Sequence, residues 1–160
     1  MRRDATIDGV YRYTLRRGWG DNPPCVFVML NPSTADADHD DPTIRRCLGF
    51  ARAWGYDQLE VVNVYAYRST DPKALRRVGE ARHGPGNFAA LCQAAARAGV
   101  VVAAWGANVL PEDAERVGSL LAQYGPVMCI GTTRGGQPRH PLYAPKSSQL
   151  VEWRSVEVTR

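Results

Sequence analysis

Four apolar runs, each followed by or carrying a polar stop, constrain this chain more than any other feature. Cys25 to Leu30 runs straight into Asn31-Pro32-Ser33-Thr34. Leu59 to Val64 carries Asn63, Val100 to Ala104 is followed by Trp105-Gly106, and Val127 to Ile130 precedes a loop with Arg139-His140-Pro141. Runs of this length without apolar–polar alternation suit strands buried on both faces. Helical patterns separate them: Pro42 to about Trp54, Asn87 to Ala98, and Pro111 to Tyr124. Strands alternating with helices predict a parallel sheet covered on both faces. The fold expected is therefore a three-layer α/β/α sandwich with a central, mostly parallel four-stranded sheet. Val10 to Leu15, alternating large and polar residues, adds an N-terminal antiparallel edge strand. In such sheets the ligand site lies outside the carboxyl ends of the strands, so the four polar stops mark a predicted pocket.

Local signals sharpen this outline. Asp41-Pro42 reads as a helix N-cap followed by proline at the first helical position, and Gly55 closes that helix. Its apolar face is Ile44, Cys47, Leu48 and Ala51, with Arg45, Arg46 and Arg52 turned largely to water. Tyr65 to Leu75 reads as a loop with a weak helical turn after Asp71-Pro72. Gly131 to Lys146 is too rich in glycine and proline to be regular, and Ser147 to Arg154 reads as a short last helix.

At 160 residues the chain fits one domain, taken as residues 1–160. No apolar run approaches the roughly 20 residues of a membrane span, and Met1-Arg-Arg-Asp4 lacks the apolar core of a signal peptide. The expectation is a cytoplasmic protein with no membrane association and no obligate protein partner. A net charge of +4, carried almost wholly by arginine on the positive side, leans toward polyanionic partners. A genome rich in G and C would enrich arginine equally. Cys25, Cys47, Cys92 and Cys129 lack paired metal-ligand spacing and read as buried free thiols.

Several residues at the predicted edge carry chemistry. Asn31 can hold a backbone carbonyl with its amide group and accept a hydrogen bond from water with its oxygen; an Asn-Pro turn that only ends the strand is the competing reading. Ser33 and Thr34 add hydroxyls there. Asn63, a polar amide inside Val-Val-Asn-Val, is costly to bury unpaired, so it reads a ligand or bonds a neighbouring loop. His140, in a long irregular loop, can as a neutral imidazole donate to an oxygen that becomes negative during reaction, or it is a surface histidine without a task. Trp105, Tyr65 and Tyr143 offer flat surfaces for stacking a base, although core packing explains Trp105 as well. Arg68 and Arg139 make the same edge basic, which favours a nucleotide or nucleic acid. The acidic run Asp36 to Asp41 suits a helix-capping loop better than a metal site, with Asp36 or Asp41 as a candidate general base. No metal and no cofactor is expected.

The segments Met29-Leu-Asn-Pro-Ser-Thr-Ala-Asp36, Asp41-Pro-Thr-Ile-Arg-Arg46, Val62-Asn63, Ala104-Trp-Gly106 and Pro138-Arg-His-Pro-Leu-Tyr143 together resemble the bacterial and phage family called DUF1643, a name that carries no activity. More distantly, the order Leu30-Asn31-Pro32, Asn63, Trp105-Gly106, His140-Pro141 is similar to the motif order of the uracil-DNA glycosylase superfamily. That resemblance implies that Asn31 positions an attacking water, Asn63 reads a flipped base and His140 stabilises charge on the departing base. It also implies that Pro32 and its neighbours line the base site and that Leu142 or Tyr143 fills the gap in an opened duplex. Leu30 replaces the glycine of the related motif, Leu142-Tyr143 replaces Ser-Pro, and the strong carboxylate of the most active members is missing, so a modified or damaged base is favoured over uracil. The expected function is a DNA glycosylase-like hydrolase; a non-catalytic nucleic-acid or nucleotide-binding module of the same fold is the alternative.

Overall fold

The four apolar runs lie side by side. In the computed structural model, which describes residues 1–154, they are β3 (Cys25–Met29), β4 (Gln58–Asn63), β5 (Val100–Ala103) and β6 (Val127–Cys129). The other strands are β1 (Arg2–Asp8), β2 (Tyr11–Gly18) and β7 (Val151–Glu152). Four α-helices, α1 (Pro42–Ala53), α2 (Pro72–Arg77), α3 (Asn87–Arg97) and α4 (Pro111–Ala122), connect them. Among the described residues the strand order is β1-β2-β4-β3-β5-β6-β7. Pairs β4/β3, β3/β5 and β5/β6 are parallel; β1/β2, β2/β4 and β6/β7 are antiparallel. The protein thus has a mixed α/β fold on a seven-stranded sheet, larger and less parallel than the four strands plus one edge that its sequence predicts.

Two differences account for this. β2 is not an edge, because β1 pairs along its whole length from Arg2 opposite Gly18 to Asp8 opposite Tyr11. Arg-Arg-Asp-Ala-Thr-Ile-Asp lies mostly in water and has no buried face, so it lacks the alternation that announces a half-buried strand. The expected helix over Ser147 to Arg154 does not form; the segment is irregular apart from a two-residue strand, β7, paired with Met128 and Cys129. Trp153 explains the choice: it is buried edge-on against Trp105, with centroids 5.1 Å apart, and its Nε1 donates to the Gly136 carbonyl at 3.0 Å. An extended chain delivers that side chain to the core.

Alternation along the central strands divides the core in two. Val26, Val28, Val62, Val101 and Ala103 pack with α3 and α4 through Leu91, Ala94, Val117 and Leu121. Cys25, Phe27, Met29, Val61 and Val102 face α1 through Ile44, Cys47, Phe50 and Ala51. Helix α1 begins where the sequence places it: the Asp41 carboxylate accepts from the Ile44 N–H at 2.9 Å. The four cysteines are free; burial pushes the Cys25 thiol up to about 12 and Cys47 well above its ordinary value, so neither is a thiolate near neutrality. Among the described residues no helix is long and apolar enough to cross a membrane.

Buried charges tie the loops to the sheet. Arg17 on β2, 1% exposed, pairs with Asp40 at 2.9 Å and donates to the Asp36 and His39 carbonyls, fixing the acidic loop that precedes α1. Glu60 on β4 receives two bonds from Arg97, at 3.0 and 2.6 Å. Removing one partner of a buried pair leaves an uncompensated charge. Arg17→Met should therefore lower the urea-unfolding free energy by about 3 kcal/mol. Arg77→Met, which breaks an exposed pair with Asp71, should change it by less than about 0.5 kcal/mol.

Candidate active site

Register brings the polar stops level. Met29 pairs with Asn63 and Val28 with Ala103, and the Val64 N–H donates to the Met29 carbonyl at 2.9 Å. The chain after β3 therefore leaves the sheet beside Asn63. The segment after β5 is drawn to the His140 loop, because the Gly106 N–H donates to the Pro138 carbonyl at 2.8 Å. Gly106 has φ +75°, a conformation that side chains rarely adopt, and a Cβ there would lie 3.5 Å from that of His140. Between these segments lies a cavity of about 500 Å³.

Of the residues predicted from sequence, Asn31, Ser33, Asp41, Asn63 and Trp105 border this cavity. Arg139, His140, Leu142 and Tyr143 complete the predicted set that does so. Asn31 Nδ2 donates to the Ser69 carbonyl at 2.9 Å and the Pro32 carbonyl at 3.1 Å. Its oxygen takes no hydrogen bond from the described residues and is available to a ligand or water. Asn63 is fully buried, yet neither Nδ2 nor Oδ1 has a hydrogen-bond partner among the described residues. The loop contact that would have satisfied it does not form. Instead Asn87 donates to the backbone carbonyls of Asn63 and Val64, at 2.8 and 3.1 Å, holding the strand end and leaving the Asn63 amide free.

His140 caps the short 3-10 turn Pro141–Tyr143, its Nδ1 accepting from the Leu142 N–H at 3.2 Å. That bond assigns the neutral ring proton to Nε2, which leaves a donor. Burial away from water lowers the imidazole below its ordinary value, and Asp41 only partly opposes the shift. Asp41 is engaged at both oxygens, by Ile44 N–H at 2.9 Å and Ala35 N–H at 3.3 Å. Trp105, 1% exposed, is a core residue whose Nε1 donates to Gln137 Oε1 at 2.9 Å. At the rim Tyr143 is 79% exposed and Leu142 39%, so both reach outward where an extended ligand would pass.

The remaining predicted residues do not border the cavity. Tyr65 is turned to the α3/α4 side, where its hydroxyl donates to Asp113 at 2.7 Å and accepts from the Leu110 N–H at 3.1 Å. It offers no stacking face at this edge. Arg68 Nε donates to the Ser33 carbonyl at 3.4 Å and supports the Asn31 loop. Asp36 receives the Asp38 and His39 N–H groups, at 2.9 and 2.8 Å, which hold its carboxyl below the ordinary range. A carboxylate locked in that turn is no general base for the cavity. Pro32 is buried beneath the loop and Thr34 is exposed, both off the cavity wall. Among the described residues no group of three His, Cys, Asp or Glu is placed to hold a metal ion.

Sequence reasoning missed Arg12, Thr43, Ser69, Thr70, Asn108 and Thr133, all of which border the cavity. Arg12 lies on the strand assigned to an edge, where Tyr-Arg-Tyr reads as a solvent-facing alternation. It is instead 2% exposed, with NH1 donating to the Ala35 carbonyl at 2.8 Å and Nε without a partner among the described residues. Desolvation pulls its guanidinium down to about 10, with Asp41 opposing and Arg68 and Arg17 reinforcing the shift, so it stays a cation near neutrality.

The family described as "Protein of unknown function (DUF1643)" matches residues 12–142, a span that contains every residue named above as bordering the cavity except Tyr143. No curated protein and no solved structure matches the chain.

Two measurements check this geometry. Replacing the partnerless amide with an apolar group of similar shape, Asn63→Leu, should raise the unfolding free energy of the free protein by about 1 kcal/mol, read in urea. In the NMR titration of the imidazole signals, His140 should protonate below pH 6.5. Its folded-state value lies under the unfolded one, so the unfolded chain binds more protons as pH falls through that window. Stability is then full above about pH 6.5 and lost as pH drops toward the folded value, and His140→Gln should remove that part of the acid limb.

Proposed function

The chain belongs to the DUF1643 family, and from that premise we propose that it is a DNA glycosylase-like hydrolase cleaving the N-glycosidic bond of a modified or damaged base. The observation that carries this reading is the meeting of Asn31, Asn63 and His140 at one cavity from three distant points of the chain. Their order is the one that the resemblance to the uracil-DNA glycosylase superfamily implies. The parallel run β4-β3-β5-β6, with the cavity at its carboxyl edge, suits the same comparison.

Each side chain has a task in that chemistry. As the glycosidic bond breaks, its electron pair goes to the base and positive charge grows on the sugar. The oxygen of a water then bonds to the sugar carbon, and its proton passes to bulk solvent. Asn31, its amide group anchored on two carbonyls, presents an oxygen that orients the water. His140 Nε2–H donates to the base oxygen on which negative charge collects, and a donor fixed in place for that charge favours the transition state more than the ground state. The Asn63 amide offers a donor and an acceptor side by side, the pattern needed to read a base edge. A nucleotide in a duplex must first be extruded; the exposure of Tyr143 and Leu142 at the rim supports their filling its gap.

One observation favours a second reading, a binding module without cleavage: Asp41, the carboxylate on the cavity wall, is occupied at both oxygens by backbone N–H groups. A panel of DNAs carrying different modified bases, screened by mass spectrometry for free base, separates the two. Hydrolysis should give released base and alkali-labile sites from at least one substrate, and Asn31→Ala should lower that rate roughly 10²-fold while the protein still melts cooperatively. Salt-sensitive DNA binding with no base released from any member would establish the binding module.

A further inference from the structure

Two buried cations stand on β2, and only one is paired. Arg17 has Asp40 at 2.9 Å, whereas Arg12 makes no ion pair with the described residues and has one hydrogen bond, to the Ala35 carbonyl. Its Nε–H is buried without a partner, on a side chain 2% exposed that borders the cavity. Asp41 attracts this guanidinium more strongly than either Arg68 or Arg17 repels it, yet forms no hydrogen bond with it, so burial still pulls its pKa down. An arginine cannot relieve the strain of burial by losing its proton at neutral pH. An unpaired buried cation is among the least favourable groups a core can hold, and a bound anion removes the penalty.

We propose that Arg12 and Asn63 form an anion-recognising floor, so that the ligand of this cavity presents a negatively charged, acceptor-rich group to them. Arg12 and Asn63 both line one cavity, and each carries buried polar atoms without a partner among the described residues: Arg12 Nε and both amide atoms of Asn63. With His140 Nε2–H they make a site in which donors outnumber acceptors. A guanidinium's planar fork matches two oxygens in one plane, the geometry of a carboxylate, an ionised oxo-base or a phosphate edge. A base carrying an exocyclic amino group in that position would set donor against donor and is disfavoured. The inference shares its cavity with the hydrolase reading and gives Arg12 a function in it, neutralising the departing base; it does not require cleavage.

Calorimetry of the intact protein at low salt with three probes tests it: orotate, a planar pyrimidine carboxylate; inorganic phosphate; and neutral uracil. At least one anion should bind, with uracil roughly tenfold weaker or worse, and Arg12→Met should weaken the anion by a similar factor. Asn63→Leu should also weaken whichever anion binds, and the tighter-binding probe of the two, orotate or phosphate, tells an ionised base from a phosphate as the natural source. Because Arg12 also holds the Ala35 carbonyl, a second readout independent of that variant's folding is the NMR signal of the Arg12 Nε–H in the unmutated protein, which should shift on adding the anion. Failure of both anions to bind, equal binding of uracil, or anion binding that leaves the Arg12 signal unmoved would overturn the proposal. Anion binding through Arg12 without base release from any DNA would instead remove the hydrolase reading and leave this site standing.

Discussion

The Val64 N–H meets the Met29 carbonyl and the Tyr65 N–H meets the Leu30 carbonyl, each at 2.9 Å, while the Ala104 N–H meets Val28. These bonds extend the parallel ladder just past the strand ends and hold three neighbouring strands in step. A slip of one residue in any of them would send its side chains to the opposite face. Asn63 would then lie against the α3 and α4 core and the cavity would lose its amide. The register is secured by complete burial of Val26, Phe27, Val28, Val61, Val62 and Val102, so the placement of the polar residues depends on the apolar ones beside them.

The cavity is held in a state that costs stability. Asn63 and Arg12 are each taken out of water with polar atoms unmatched, as is the side-chain oxygen of Asn87 beside them, while backbone groups and carboxylates nearby are bonded. Asn87 satisfies the carbonyls beside Asn63, Asp41 caps α1, Asp36 organises its own turn, and Arg17 clamps the acidic loop. These bonds hold the strand end, the α1 cap and the acidic loop in place around the unmatched atoms. Such pre-orientation is what binding or transition-state stabilisation needs, because little reorganisation remains when the ligand arrives.

What was legible in the sequence divides along a physical line. Apolar runs, the Asp41 cap with its proline, and the glycine stops are local, and the buried strands and α1, α3 and α4 formed close to where those signals put them. The seven-stranded extent was not legible, because β1 carries no apolar face and β7 is two residues set by the distant burial of Trp153. Tyr65 failed as a site residue for a related reason: two residues beyond Asn63 the chain has left the strand, and Asp113 on α4 captures its hydroxyl. Arg12 gave no local sign of burial, since the groups near its guanidinium, Ala35, Asp41, Cys47 and Arg68, come from distant points of the chain.

A crystal structure with DNA containing an abasic site, together with the free base released or its anionic analogue, tests the central claim most directly: that Asn63, His140 and Arg12 are held unmatched in order to meet a ligand. The base should lie in the cavity with an edge on the Asn63 amide, an oxygen facing His140 Nε2 and its most negative group against the Arg12 guanidinium. Base density elsewhere on the protein, with the Asn63 amide and the Arg12 Nε–H turned to protein partners of their own, would contradict it.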